Sequence, residues 1–222
     1  MNLEYSVIIP VKNGEIFLEE TMESIQSQTL SAREVIFIDD HSTDKSHDII
    51  NNKYPSATIL TNTGSGQASA LNMGIEATKY ELIAFLDADD VWETSKNSEQ
   101  AKYLAGRIDV DVICGGVRNF YSSYRKKDLS RMTKTFQQAR ILGSSLFRKD
   151  VFLKYGFFNQ SESQFVYSWW SKAVDLGIRV QYDDQVRLHR RIHANNFSFS
   201  RSQEQRRELL SLIRKHKNRN SE

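Results

Sequence analysis

The chain has 222 residues, 39% of them hydrophobic, one cysteine and a net charge of +2. That length suffices for a full core in one or two domains. No run of about 18 apolar residues is present to span a bilayer, and Cys114 alone excludes an internal disulfide, which fits a reducing, cytoplasmic setting. The small net charge conceals an asymmetry. Residues 1–117 carry 8 Lys/Arg against 19 Asp/Glu, and residues 118–222 carry 22 against 9. The two halves either attract each other or serve a charged ligand.

The opening "MNLEYSVIIP" has no basic n-region and no cleavage site, so no signal peptide is expected. "YSVIIPV" (5–11) reads as a buried strand, Asn13-Gly14 as a turn, and "EIFLEETMESIQSQ" as a helix spaced through Ile16, Phe17, Met22 and Ile25. "REVIFIDD" (33–40) is a second strand, followed by a helix with Ser42 as its expected N-cap and Asp44 in its first turn. "SATILTN" (56–62) is a third strand, "GSGQASALNMGIEATKY" a Gly-rich entry into a helix, and "ELIAFLD" (81–87) a fourth strand. Alternation at this spacing predicts an α/β fold with a doubly wound, mostly parallel sheet. Ligands of such sheets bind beyond the carboxyl ends of the strands. Asn13, Asp39, Asp40, Asn62 and Asp87 all fall at those ends, although singly each also suits a turn or cap.

In the second half, "VDVICGGV" (110–117) and "ILGSSLFRK" (141–149) read as strands. Between them, residues 118–140 carry seven Lys/Arg and interleaved aromatics, as a functional loop would. "SQFVYSWWSKAVDLG" (163–177) is a helix with Gly177 as its C′ glycine, "IRVQY" a short strand, and 202–217 a basic amphipathic helix.

"AFLDADDVW" (84–92) places three carboxylates directly after an apolar run. Two carboxylates one residue apart offer hard oxygen ligands to Mg²⁺ or Mn²⁺ shared with a substrate phosphate. The same letters fit the nucleophile motif of haloacid-dehalogenase-type phosphatases, which usually lies on the first strand, not the fourth. An Asp-rich helix cap accounts for one or two of the three acids.

Taken in order, "SVIIPVKNG", "VIFIDDHSTD", "NTGSGQASALNMGI" and "AFLDADDVW" resemble the inverting family 2 glycosyltransferases of the GT-A fold, closely over 4–93 and more loosely over 141–200. The resemblance implies a nucleotide-sugar donor, commonly a UDP-sugar, and Mn²⁺ or Mg²⁺. It implies that the turn Pro10, Val11, Asn13 and Asp39 hold nucleobase and ribose, with Asp40 supporting that turn. Asn62, Gly64, Gly66 and Asn72 would shape the donor loop, and Leu71 stands where many members carry Arg. Asp87 and Ala88 would lie near ribose and metal, and Asp89 would be the metal ligand on the diphosphate. In "LHRRIHANNFSFSR" (188–201), His193 matches a histidine that approaches metal or diphosphate, with Arg191 beside it. His189 reads as a surface residue.

The resemblance also implies a donor half (1–117), an acceptor-side half of the same domain (118–200) and a basic tail (201–222). Inverting transfer needs a base to deprotonate the acceptor. The family's usual carboxylate pair falls on Phe165 and Val166, neither of which takes a proton. Glu162 is the nearest candidate, and Asp175 lies far along the helix. Otherwise the nucleophile needs little help, or the protein is a non-catalytic nucleotide-sugar binder. Trp169 and Trp170 could stack an acceptor or pack in the core. The acceptor is open among glycan, lipid-linked and peptide classes. The basic half suits a peripheral contact with anionic lipid more than nucleic acid.

Overall fold

The structure, a computed structural model, describes residues 3–121, 136–138 and 140–193. The middle of the basic 118–140 segment and the helix expected at 202–217 lie outside the described residues. The elements are β1 (Tyr5–Val11), α1 (Leu18–Gln26), β2 (Glu34–Asp39), α2 (Ser46–Lys53), β3 (Thr58–Thr61), α3 (Gly66–Ala77), β4 (Leu82–Phe85), β5 (Val91–Trp92), α4 (Lys96–Ala105), β6 (Val112–Tyr121), β7 (Gln137–Gln138), β8 (Ser145–Arg148), α5 (Asp150–Tyr155), α6 (Phe165–Asp175) and β9 (Val180–Ile192).

Along one sheet the strands run β3-β2-β1-β4-β8-β6-β9-β5, with β7 beside β6. β1 pairs in parallel with β2 and β4, and β2 with β3, while β8 is antiparallel to both β4 and β6. Alternation along β1 explains the layers. Tyr5, Val7, Ile9 and Val11 face a core with α1 and α4, and Ile8 faces a second core with α3, α5 and α6. The chain leaves β1 toward β2 and β3, then returns to β4 on the other side. A crevice therefore opens beyond the carboxyl ends of β1 and β4.

Several local expectations are corrected. α2 starts at Ser46, because Asp44 Oδ1 accepts the Ser46 N–H (2.9 Å) while the Ser42 hydroxyl accepts the Asn13 N–H (3.0 Å) instead of capping the helix. Ile16 precedes α1 and is largely exposed. The strand expected over 141–149 opens with a 3₁₀ turn, Leu142–Ser144, in which the Ser144 and Ser145 hydroxyls both donate to Ile141 O. The short strand expected at 178–182 is the thirteen-residue β9, which carries the "LHRRI" segment into the sheet against β6 and β5. Trp169 and Trp170 are both buried among Phe147, Phe152 and each other, so they form core and not an acceptor wall.

Gly177, at φ +83°, ends α6 with the Gly177 N–H on Val174 O and the Ile178 N–H on Ala173 O, the paired bonds of a Schellman stop. Asn72, on α3, binds both backbone groups of Phe158: its Nδ2 donates to Phe158 O (2.8 Å) and its Oδ1 accepts the Phe158 N–H (2.9 Å). This clasp fixes the segment that leads to α6. Asn72→Ala leaves both buried groups unpaired and is expected to lower stability by about 1–3 kcal/mol in a urea titration; an unchanged midpoint would contradict the clasp.

Candidate active site

A cleft of about 830 Å³ lies at the crevice between β1 and β4. One side is built from two turns that tie each other. Asn13, at φ +53°, accepts the Thr43 N–H on its Oδ1 (2.7 Å), and the Gly14 N–H donates to Ser46 Oγ (2.8 Å). Asn tolerates that left-handed backbone better than most residues. Behind the turn, Asp39 is buried and accepts the Ser42 N–H. Asp40 is a hub: its carboxylate accepts the Gly66 N–H (3.0 and 3.1 Å) and Asn62 Nδ2 (2.7 Å), and pairs with Lys12 Nζ (3.4 Å). Asn62 in turn accepts the Gly64 N–H, so Asp40 and Asn62 shape the Gly-rich loop from below. Leu71 lies in the second core.

The acidic turn forms the floor. The Asp90 N–H bonds Asp87 O, closing the turn. Its carbonyls are held from behind: Thr21 Oγ1 donates to Ala88 O and Asp90 O (both 3.0 Å), and Arg191 Nε donates to Asp89 O (2.8 Å). Arg191 is wholly buried, stacked between Phe17 and Phe120 (4.6 Å each), with its Nη2 on Glu20 (2.6 Å) and its backbone N–H on Asp90 Oδ1 (2.8 Å). It therefore supports the turn and does not line the cleft. His193 lies 3.0 Å from Asp89 Oδ2, with its ring against Phe17. His189, expected at the surface, is buried and bonded to Glu93.

Of the residues singled out in the sequence, Pro10, Val11, Asn13, Asp40, Gly66, Asp87, Ala88, Asp89, Glu162 and His193 line this one cleft. Asp39, Asn62, Gly64 and Asn72 stand behind its walls. Phe165, the first residue of α6, presents an aromatic ring to the cleft, packed on Phe158. Glu162 precedes that helix. Its Oε1 accepts Asn159 Nδ2 (2.8 Å), while its buried Oε2 has no hydrogen-bond partner. Asp175 lies at the opposite end of α6, outside the cleft. Sequence reasoning missed Gln67, which donates to Asp87 (2.9 Å), and Arg190, which lines the cleft from β9. The doubled arginine in "HRRIH" was the available signal, since neighbours on a strand point to opposite faces.

Asp87, Asp89 and Asp90 offer oxygens all within 4.8 Å of one another. Asp87 opens on the cleft, yet the protein around it displaces much of the bulk water, and this desolvation, then the Asp89 charge, raises its carboxyl to about 6, against the opposing charge of Arg190 and the Gln67 bond. Burial and the same like charges raise Asp90 well above the carboxylate range. The three acids stand close enough for neighbouring carboxylates to disfavour the ionisation of Asp87 and Asp90. A hard-oxygen pair with one imidazole suits Mn²⁺, and its carboxylates alone suit Mg²⁺.

The family model described as Glycosyl transferase family 2 matches residues 6–168. The chain belongs to glycosyl transferase family 2. An Escherichia coli member, UDP-Glc:alpha-D-GlcNAc-diphosphoundecaprenol beta-1,3-glucosyltransferase WfaP, is 30% identical over 211 residues, covering 90% of this chain and 81% of its own. Among solved structures, S. aureus TarS 1-349 in complex with UDP-GlcNAc superposes with a TM-score of 0.70 at 19% identity, covering 90% of this chain and 61% of TarS 1-349. The mannosyltransferase PcManGT from Pyrobaculum calidifontis, in complex with GDP-Man and Mn²⁺, gives 0.66 at 18% identity, covering 87% and 58%. These likenesses establish the GT-A fold for this family 2 glycosyltransferase, which spans about three-fifths of either solved chain.

The raised Asp87 has a consequence for folding. Between about pH 4, where an unfolded Asp titrates, and about 6, the folded protein retains a proton that the unfolded chain has released. Stability relative to Asp87→Asn is therefore expected to fall as pH rises through that window. Thermal melts of both proteins from pH 4 to 7 check this, and a constant difference would refute it.

Proposed function

We propose that the cleft binds a UDP-sugar with Mn²⁺ or Mg²⁺ and that the protein transfers the sugar, with inversion, to an acceptor hydroxyl. The observation that carries this reading is convergence: Asp87, Asp89 and His193 share one cleft with the Pro10–Asn13 turn and the Asp40-anchored glycine loop. The names of the E. coli relative and the TarS complex supply the UDP donor class. No helix of the described residues is long and apolar enough to cross a membrane. The relative's diphosphoundecaprenol acceptor nevertheless favours a lipid-linked acceptor reached by peripheral membrane contact.

In this reading residues 1–117 bind donor and 118–200 present the acceptor. Pro10, Val11, Asn13 and Asp39 position nucleobase and ribose. Asp87, Asp89 and His193 would hold the divalent ion, which supplies positive charge against that developing on the departing nucleoside diphosphate. Glu162 accepts the acceptor's proton as the hydroxyl oxygen bonds to the anomeric carbon and the diphosphate leaves from the other face. Its place on the cleft wall supports that role. Phe165 occupies the family's usual base position with a ring, which favours one rival: a donor-binding protein without transferase activity.

Asp89→Ala is expected to lower Mn²⁺-dependent UDP-sugar turnover by on the order of a hundred- to a thousandfold; equal turnover by both proteins would overturn the metal assignment. Glu162→Gln should lower transfer about 10²- to 10⁴-fold while UDP affinity, by calorimetry, stays unchanged. Full activity in that variant removes Glu162 as base. UDP binding by the wild type with no turnover on any acceptor supports the rival.

A further inference from the structure

Among the described residues, the non-glycine positions with a left-handed backbone are Asn13 (φ +53°) and His41 (φ +61°). Asn13 belongs to the cleft wall, whereas His41 is exposed and does not line the cleft. A Cβ makes this backbone unfavourable, although Asn and His bear it better than most residues. Such a conformation persists where its surroundings over-determine it. Both neighbours of His41 are pinned, the Asp40 N–H on Val11 O (2.8 Å) and the Ser42 N–H on Asp39 Oδ1 (3.0 Å). Between them the His41 ring turns to the glycine loop, with Nε2 3.2 Å from Gly64 O. A carbonyl only accepts, so Nε2 carries the hydrogen in this bond.

Glycine would make the same turn with no Cβ to strain it. What the imidazole adds is its hold on Gly64. The rest of the loop is tied from below. The Gly64 N–H donates to Asn62 Oδ1 (3.1 Å), the Gly66 N–H to Asp40, and Asn62 Nδ2 reaches Gly66 O (3.3 Å). Ser69 Oγ also donates to Asn62 Oδ1 (2.8 Å), and a side chain at Gly64 would collide with that hydroxyl, so the loop lies tightly on the start of α3. Held this way, residues 65–67 face the cleft, and Gln67 Nε2 reaches Asp87 Oδ1 in the acidic turn (2.9 Å). We propose that His41 is a positioning residue for the donor: it keeps a strained backbone in exchange for the Gly64 carbonyl, and so sets the wall at 65–67 before the nucleotide binds. The proposal rests on the reading that this cleft takes a nucleotide sugar.

The test uses the full chain as wild type, His41→Gly and His41→Gln. Gly suits the left-handed backbone best and has no donor; Gln suits it less well than His but carries an amide N–H at a similar reach. Stability and donor binding should therefore rank the two variants in opposite order. In thermal melts His41→Gly should unfold at a higher temperature than His41→Gln. In calorimetry with UDP and Mn²⁺, His41→Gly should bind about two- to tenfold more weakly than wild type, the worth of one hydrogen bond, and His41→Gln should recover part of that loss. Hydrogen exchange at the Gly64 and Gly66 amides should quicken in His41→Gly by a similar factor. If the wild type itself fails to bind UDP, the nucleotide-sugar reading fails and the inference fails with it. If the wild type binds UDP and His41→Gly binds it equally well, or its loop amides exchange at the wild-type rate, the positioning role fails while that reading stands. UDP affinity that simply follows melting temperature across the three proteins assigns His41 a structural role and also overturns the proposal.

Discussion

The buried guanidinium of Arg191 is the interaction around which the cleft is built. It joins Glu20 on α1, the carbonyl of Asp89 in the acidic turn, and the rings of Phe17 and Phe120. A guanidinium without water needs its charge answered and its donors filled, and loss of one partner leaves the other uncompensated. Its backbone N–H on Asp90 fixes β9 against the turn, which brings His193 to Asp89 and Arg190 into the same cleft. With Thr21 holding Ala88 O and Asp90 O, the turn's carbonyls are all engaged behind the floor. Asp87 and Asp89 are left to the cleft.

Contacts of this kind also join the two oppositely charged halves. The acidic first half meets the basic second half along β9 and its approach: Arg179 with Asp111, His189 with Glu93, Arg191 with Glu20, and His193 with Asp89. Arg179 and Arg191 are two of the 22 Lys/Arg of the second half, so these pairs answer a small part of its excess. The acidic turn is a separate concentration of charge, where burial, then neighbouring carboxylates, raise Asp87 and Asp90.

The wall of the cleft beyond β1, β2 and β4 was readable in the sequence because its determinants are local. Continuous β-branched runs such as Val7 to Ile9 specify buried parallel strands, and Asn13, Asp39, Asp40 and Asp87 follow those strands within a few residues. β9 was not readable in the same way. Its charged residues mask the strand pattern, and their partners are remote: Glu20 is 171 residues from Arg191, Asp89 is 104 from His193 and Glu93 is 96 from His189. Asn72 reads as part of the glycine loop, and its partner, Phe158, lies 86 residues away. At the start of α6, where the family resemblance leads one to expect a carboxylate pair, Phe165 presents a ring, and Glu162 lies three residues before the helix.

The central claim is that the acidic turn and His193 form one cation–diphosphate site. Crystals grown with UDP and Mn²⁺, measured at the manganese absorption edge, test it most directly. The account predicts a single anomalous peak in contact with Asp89 and His193 and with the UDP phosphates, with Asp87 beside it. Ordered UDP in the cleft with no manganese at Asp89, or manganese bound away from the diphosphate, would contradict it.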